Sequence, residues 1–393
     1  MKKSKKYINN FFLVLFSLFV GILLTEILMR FNKIEYPIFQ THDFNRGFAL
    51  RPNSSGWWIR EGNAYVKINK QGLRDRDHKI QKNKNTFRIA ILGDSFAEAR
   101  SIPLEKTFWF LMENKLNSCN NFGDKKVEVI NFGVTEYSTA QEFLTLQHHV
   151  WAYNPDIILL AFFSGNDISD NSKILSNKKY RPFFVYKDNE FILDNSFRKT
   201  KPYLLLKSRL GQTVIKLSDY SRIVQLLKEV YLTQYFKKQR KVDKGKKEKL
   251  SKKKIISYNQ IYYPVQEEWK EAWNITESII RLMNKEINQN NSKFIVVTLS
   301  DPPQVHPSSS FQESFIKKIK NNDLFYPDKR IKKLGEEEDF TVINLANKMK
   351  KYAQENQIFL HGFSNTTMGE GHWNFAGHEI ASQIISENLC KSL

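Results

Sequence analysis

The sequence predicts an α/β fold in which a central parallel sheet is covered by helices on both faces. Strands buried on both faces read as continuous apolar runs, and strands that alternate with helices form parallel sheets. Five apolar runs alternate with segments of helical periodicity along most of the chain. They lie at 87–92, 127–133, 156–163, 294–299 and 341–346.

The first apolar run ends in a Gly-Asp-Ser turn, GDSF at 93–96, that is expected to open a helix. A serine hydroxyl on such a turn is exposed, and the helix amides behind it stabilise developing negative charge. Ser95 is therefore a candidate nucleophile. Taken alone, Ser95 has a simpler interpretation as a small residue tolerated in a tight turn.

Three later segments offer partners for Ser95. Gly133 in NFGV and Asn166 in SGND end the second and third runs, and His372 in GHWN lies in the loop entering the last predicted helix. The carboxyl ends of parallel strands share one edge of a sheet, so these residues are expected around one crevice. Gly133 could also relieve crowding and Asn166 could cap a turn. His372 is favoured over His378, which lies in an amphipathic helical stretch.

With these four blocks, GDSF, NFGV, SGND and GHWN, the chain resembles the GDSL or SGNH hydrolase family. The matching segments cover about 86–168 and 292–392. The resemblance implies a flavodoxin-like three-layer α/β/α fold and a serine hydrolase. Nothing in the sequence resembles a zinc spacing, a phosphate-binding glycine loop or a dinucleotide fingerprint, so no metal or other cofactor is expected. The resemblance also implies the chemical roles of the four block residues.

In those implied roles, Ser95 attacks an acyl carbonyl and His372 takes its proton. Gly133 and Asn166 join the Ser95 amide in an oxyanion hole. A serine hydroxyl needs a base to become a good nucleophile, and the tetrahedral oxyanion needs donors already directed at it.

The last block departs from the family pattern, which places an aspartate three residues before the histidine. That position is Gly369 here, and the nearest acid is Glu370. Glu370 is predicted to hold the His372 ring in its productive tautomer. A solvated loop acid, with a backbone carbonyl orienting the ring, is the alternative.

The N-terminal thirty residues predict a membrane segment. Four lysines in MKKSKK precede the 19-residue run FFLVLFSLFVGILLTEILM, which is long enough to cross a bilayer. A cleaved signal peptide is the alternative, but no small-residue cleavage site follows the run. An uncleaved anchor is favoured, with the lysines in the cytoplasm and the remaining chain outside, periplasmic or at the cell surface.

The remaining chain divides into two predicted parts. Residues 31–85, rich in aromatics and turn formers, are predicted to form a small β-rich lead-in. Residues 86–392 form the hydrolase domain, with a helical and irregular insertion at 168–264. Because the insertion leaves the sheet edge that carries Asn166, it is a candidate lid and substrate selector.

The formal charge of +20 does not indicate nucleic-acid binding. Much of the excess lies in the N-terminal lysines and in 237–254, which holds eleven basic and two acidic residues. The latter tract has no aromatics to stack on bases, so a solvated loop is expected, with contact to anionic lipid or acidic glycan as the alternative. Nothing requires Cys119 and Cys390 to pair, and both are expected to be free.

These features predict a membrane-anchored serine esterase or acyltransferase. Its expected substrates are O-acyl groups, above all O-acetyl groups, of a cell-envelope or secreted glycan. A lipase or lysophospholipase acting on membrane lipid is one alternative. A catalytically silent glycan-binding scaffold, suggested only by the missing aspartate, is another. The oligomeric state is left open.

Overall fold

The computed structural model describes residues 2–176, 178–231, 233–234, 259–319 and 323–392. Strands and helices are numbered along the chain. The strands are β1 Gln40–Asp43, β2 Gly47–Leu50, β3 Ser55–Trp58, β4 Ala64–Lys67, β5 Thr86–Gly93, β6 Lys126–Asn131, β7 Ile157–Phe162, β8 Phe183–Lys187, β9 Glu190–Asp194, β10 Lys293–Thr298 and β11 Thr341–Asn344.

Five of these strands form the central sheet, in the order β11-β10-β7-β5-β6. Every neighbouring pair is parallel. Numbered within the sheet alone, the order is 2-1-3-4-5, that of flavodoxin-like doubly wound folds. The predicted α/β fold is therefore confirmed, and each of the five apolar runs forms one of the five strands.

Helices cover both faces of this sheet, and others lie outside it. They are α1 Lys2–Phe31, α2 Ser95–Glu98, α3 Phe108–Asn117, α4 Thr139–Thr145, α5 Asp167–Asn171, α6 Lys201–Lys207, α7 Arg209–Ser218, α8 222–231, α9 Asn259–Tyr262, α10 Glu267–Gln289, α11 Ser309–Ile319, α12 Tyr326–Glu337, α13 Ala346–Asn356 and α14 Phe375–Ser392. Side chains of α4, α10 and α12 pack with Ala90 and Leu92 of β5, whereas those of α3, α13 and α14 pack with Ile89 and Ile91. This alternation follows from the two-residue period of a strand.

Three antiparallel hairpins lie outside the central sheet: β1–β2, β3–β4 and β8–β9. The first two belong to the segment predicted as the lead-in, and the third to the segment predicted as the insertion. Phe48 and Val66 of the first two hairpins pack with Tyr137, whose hydroxyl donates to the Phe48 carbonyl at 2.7 Å. The domain boundaries themselves stay a prediction.

The segment Tyr7–Phe31 of α1 is long and apolar enough to cross a membrane, and its apolar window is unburied. An anchor and a signal sequence both fit this length and composition. The basic tract 237–254 lies outside the described residues.

Cys119 and Cys390 form a disulfide, which corrects the expectation that both are free. Cys119 follows α3 and Cys390 lies near the end of α14. These two helices pack on the same face of the sheet. Packing brings the two Cα atoms within 6.2 Å, although 271 residues separate them in sequence. Sequence spacing alone carries no sign of this proximity.

Reducing this disulfide is expected to lower the free energy of unfolding by about 2–5 kcal/mol, because the crosslink restricts the unfolded chain. Urea unfolding of the purified chain with and without reductant measures the difference. A Cys119→Ser, Cys390→Ser double variant is the control, since reductant has no bond to break in it. Equal stability of the native chain in both conditions would contradict the prediction.

Candidate active site

Ser95 lies at the turn between β5 and α2 and is half-buried. Asp94 caps the short helix, since its carboxylate accepts a hydrogen bond from the Phe96 N–H at 2.9 Å. Gly93 is needed for the close approach of strand and helix, because a Cβ there would lie 2.9 Å from the Ala97 Cβ. The turn thus holds the serine at the carboxyl edge of the sheet, as the sequence predicts.

His372 reaches Ser95 from the loop before α14. Its Nε2 lies 2.8 Å from the Ser95 Oγ, although the two residues are 277 positions apart. The Phe96 ring packs against the imidazole with 5.0 Å between ring centroids. The structure therefore brings the predicted nucleophile and base within hydrogen-bonding distance.

The carboxylate that contacts His372 belongs to Glu61, which the sequence analysis did not single out. One Glu61 oxygen is hydrogen-bonded to the His372 Nδ1, and the other accepts from the His372 backbone N–H at 2.7 Å. Glu370 is exposed, so the orienting role predicted for it is wrong in this structure. The physical reason is that the turn between β3 and β4 packs over the histidine loop and fills that position.

Two features fix the Glu61 turn in place. The Asn365 side chain accepts from the Gly62 N–H at 3.0 Å and donates to the carbonyls of Ile59 and Gly62 at 3.0 and 2.9 Å. Gly371 permits the close approach, since its φ is +75° and a Cβ there would lie 2.2 Å from the Glu61 carboxylate. The acid is thus held by contacts from the same loop that carries the histidine.

The Glu61–His372 contact shifts both pKa values. Burial lowers the pKa of His372, but the hydrogen bond and the negative charge of Glu61 outweigh burial and raise it above its ordinary value. Burial raises the pKa of Glu61, and the bonds and charge of His372 overcome this and lower it. The pair therefore favours a negative carboxylate beside a histidine of enhanced basicity.

Asn166 is hydrogen-bonded to the residue that precedes Ser95. Its Nδ2 donates to the Asp94 carboxylate at 2.9 Å. Burial raises the pKa of Asp94 above its ordinary value, despite hydrogen bonds from Phe96 and Asn166. Because an amide nitrogen has two protons, one remains for another acceptor. Asp94 thus orients the Asn166 side chain close to Ser95.

Gly133 also lies against the serine turn. A Cβ at Gly133 would lie 2.4 Å from the Ala97 Cβ, so glycine is required for the contact between this strand end and α2. The Gly133 N–H donates to the Asn131 Oδ1 at 3.0 Å. This donor is therefore already engaged within the chain.

A second buried histidine, His361, positions the His372 loop and was also missed by the sequence analysis. Its Nδ1 lies 2.8 Å from the Gly371 carbonyl and its Nε2 lies 3.1 Å from the Ser300 Oγ. Burial lowers the pKa of His361 to about 3, so the ring is neutral. His378 is buried in α14 and its Nδ1 accepts from the Phe108 N–H at 3.2 Å, as expected for a packing residue.

Arg74 fixes the segment that follows Ser95. Its fully buried guanidinium donates to the carbonyls of Glu98, Ala99 and Ile102. Burial lowers the pKa of Arg74 to about 10, which leaves it charged near neutral pH. Three carbonyl acceptors around one cation limit the movement of the chain directly behind the serine.

A groove of about 860 Å³ runs along the β3–β4 hairpin whose turn carries Glu61. Trp57 and Tyr65 border it, with their rings edge to face at 5.5 Å, and Arg74 contributes to its lining. The residues lining the groove do not include Ser95 or His372. Within the described ranges no group of three or more histidine, cysteine or acidic residues is arranged to hold a metal ion.

No protein-family model matches the chain. No curated protein matches it either. Solved structures similar to it include an acetyl xylan esterase, with 13% identity over 77% of this chain and 100% of the other, at a TM-score of 0.39. A second is the acetylxylan esterase Axe2 from Geobacillus stearothermophilus, with 9% identity over 78% and 96% at a TM-score of 0.37.

A third is a proposed lipolytic protein of the G-D-S-L family from Desulfitobacterium hafniense. It has 11% identity over 77% of this chain and 99% of the other, at a TM-score of 0.33.

Proposed function

We propose that the protein is a serine esterase or acyltransferase that acts through an acyl-serine intermediate. The observation that carries this proposal is the hydrogen-bonded series Ser95–His372–Glu61 at the carboxyl edge of the sheet. His372 takes the Ser95 proton as the Oγ–acyl bond forms, and returns it to the leaving alkoxide as the ester C–O bond breaks. Water or a sugar hydroxyl then attacks the acyl group and regenerates the serine.

The oxyanion would be stabilised by donors around Ser95. The second amide proton of Asn166 supports this role, as does the Ser95 N–H at the start of α2. The Gly133 N–H would have to be shared with Asn131, because it already donates to that side chain. Asp94 acts as a positioning residue, since it holds the Asn166 amide.

We propose O-acyl groups of an extracytoplasmic glycan, and acetyl groups in particular, as substrates. The groove beside the Glu61 turn supports this class, because exposed rings such as Trp57 and Tyr65 provide stacking surfaces next to amide and charged side chains. An outward-facing domain anchored by α1 is also proposed. The Cys119–Cys390 disulfide supports that location, since disulfides persist in oxidising compartments.

A lipase acting on bilayer lipid is a second candidate. One contact favours it: Arg60, next to Glu61, pairs at 2.7 Å with Glu229 of α8, and α8 also contacts the end of α1. Glu61 is therefore the sequence neighbour of a residue that binds α8, and α8 in turn binds the apolar helix α1. This proximity to the apolar segment favours lipid esters as the second substrate class.

One experiment separates these substrate classes. The full chain in detergent is incubated with an O-acetylated polysaccharide, an acetyl ester plus a glycan acceptor, or a phospholipid, and Ser95→Ala is the control. Free acetate indicates hydrolysis, and acetate on the acceptor indicates transfer. Fatty-acid release without action on short acyl esters would overturn the glycan proposal. Absence of serine-dependent turnover and of phosphonate labelling would overturn esterase chemistry itself.

The pH dependence of kcat/KM is expected to have an acidic midpoint above 6.5, the ordinary pKa of histidine. Only the neutral imidazole accepts the Ser95 proton. Glu61 raises the pKa of His372, so activity is lost as pH falls through that raised value. Acetate release from a neutral ester, followed from pH 4 to 9, measures the midpoint. A midpoint at or below the ordinary value would contradict the prediction.

A further inference from the structure

The end of α1 is bound to the turn between α7 and α8. The Glu26 carboxylate accepts hydrogen bonds from the backbone N–H groups of Arg222 and Ile223, at 2.9 and 3.1 Å. Arg30 donates to the Tyr220 carbonyl at 2.7 Å. Glu26 therefore satisfies the free amides at the start of α8, and the α7–α8 turn is fixed against the last turns of the apolar helix.

This contact sets the position of α7 and α8 relative to a bilayer that α1 would cross. The 25 residues of Tyr7–Phe31 extend about 37 Å as a helix, whereas a bilayer core is about 30 Å thick. Glu26 and Arg30 would then lie at the boundary between core and head groups. Tyr220 is held at that same level with 79% of its surface exposed.

Both helices that meet at this turn carry exposed apolar side chains along one side. In α7 these are Leu210 and Leu217, seven residues apart and therefore on one face. In α8 they are Leu227, Val230 and Tyr231, at spacings of three and four residues. Leu210 is 67% exposed and Leu227 is 63% exposed, so the described part of the chain leaves both side chains uncovered.

The charge of this region complements an anionic surface. Residues 201–231 contain six basic and two acidic side chains. The two acids are already paired with partners elsewhere, Asp219 with Arg51 at 2.6 Å and Glu229 with Arg60 at 2.7 Å. Of the six basic residues, Arg222 is paired with Glu35, whereas Lys201, Lys207, Arg209 and Lys216 are exposed. Their positive charge is therefore available to lipid phosphates.

We propose that α7 and α8 lie on the surface of an anionic phospholipid bilayer and insert their apolar side chains among the head groups. We call these two helices the interfacial pair. Amphipathic helices with basic residues bind bilayers in this manner. The proposal rests on the anchoring role of α1 proposed above. Through Arg60 and Glu229, the interfacial pair would hold the Glu61 turn close to the membrane surface.

Spin-label accessibility in the full chain tests this arrangement. Leu217→Cys and Leu227→Cys place single labels on the interfacial pair, since the native cysteines are joined to each other. Phe16→Cys in α1 and Lys351→Cys on the exposed side of α13 are the membrane and aqueous references. The chain is reconstituted in nanodiscs of phosphatidylcholine and phosphatidylglycerol. Turnover of a soluble acetyl ester checks that each variant is folded.

The ratio of collisions with oxygen to collisions with a nickel chelate is expected to be higher at 217 and 227 than at 351, because apolar oxygen concentrates in the bilayer and the polar chelate is excluded from it. If the ratios at 217 and 227 equal that of the aqueous reference at 351, while the ratio at 16 is high as in lipid, the interfacial pair is overturned. The esterase proposal would be unaffected. If the ratio at 16 is as low as that at 351, both the membrane anchor and the interfacial pair are overturned. If the ratios at 217 and 227 equal that at 351 and pulsed measurements in vesicles detect dipolar coupling between labels on two copies, the apolar side of α7 and α8 is a dimer interface instead. That result would overturn the interfacial pair.

Discussion

Replacing Ser95 by alanine is expected to lower kcat for acetate release from a soluble ester by roughly 10⁵-fold or more. The variant lacks the oxygen that forms the acyl bond, and His372 then has no hydroxyl to deprotonate. The amide donors around the crevice remain, so a small residual rate above that in water is expected. Measured kcat and loss of covalent labelling by an organophosphonate check the prediction together.

Ser118→Ala is the matched control for this variant. Ser118 is exposed after α3 and its hydroxyl donates to the Asn114 carbonyl at 3.1 Å. We expect wild-type kcat and full labelling from it. Retention of more than about 1% of kcat by Ser95→Ala would exclude this serine as the nucleophile.

The sheet could be predicted from the sequence because its strands are buried on both faces. Burial demands long apolar runs, and β7, Ile157–Phe162, is buried at every position. The parallel order then places the ends of β5 and β7 at one edge, which is why Ser95 and Asn166 could be expected to meet. His372 could be placed only through the resemblance of its block, since a loop histidine has no periodicity to locate it.

The acid could not be predicted, because Glu61 lies 311 residues before His372 in a different hairpin. Its position depends on how the β3–β4 turn packs, and that packing depends on the Asn365 side chain and on the absence of a Cβ at Gly371. Single glycines and asparagines are common in loops and carry no such signal. The disulfide was missed for the same reason, since it follows from the packing of two helices.

The carboxylate assignment leads to the second large effect. Glu61→Gln is expected to lower kcat by roughly 10⁴-fold with little change in KM. The neutral amide neither stabilises the imidazolium nor holds the Nδ1 proton in the productive tautomer. Because the raising effect of Glu61 on the pKa of His372 is lost, the acidic midpoint of the residual activity is also expected to shift to lower pH. Steady-state kinetics from pH 4 to 9 measure both changes.

Glu370→Gln supplies the matched control, since it removes the same charge two residues from His372. Glu370 is exposed, so we expect kcat to stay within about twofold of the native value and the pH profile to be unchanged. Folding is not expected to differ between the two variants, because Asn365 holds the Glu61 turn through the backbone of Ile59 and Gly62. The opposite ranking, with Glu370→Gln inactive and Glu61→Gln active, would return the orienting role to the acid nearer in sequence.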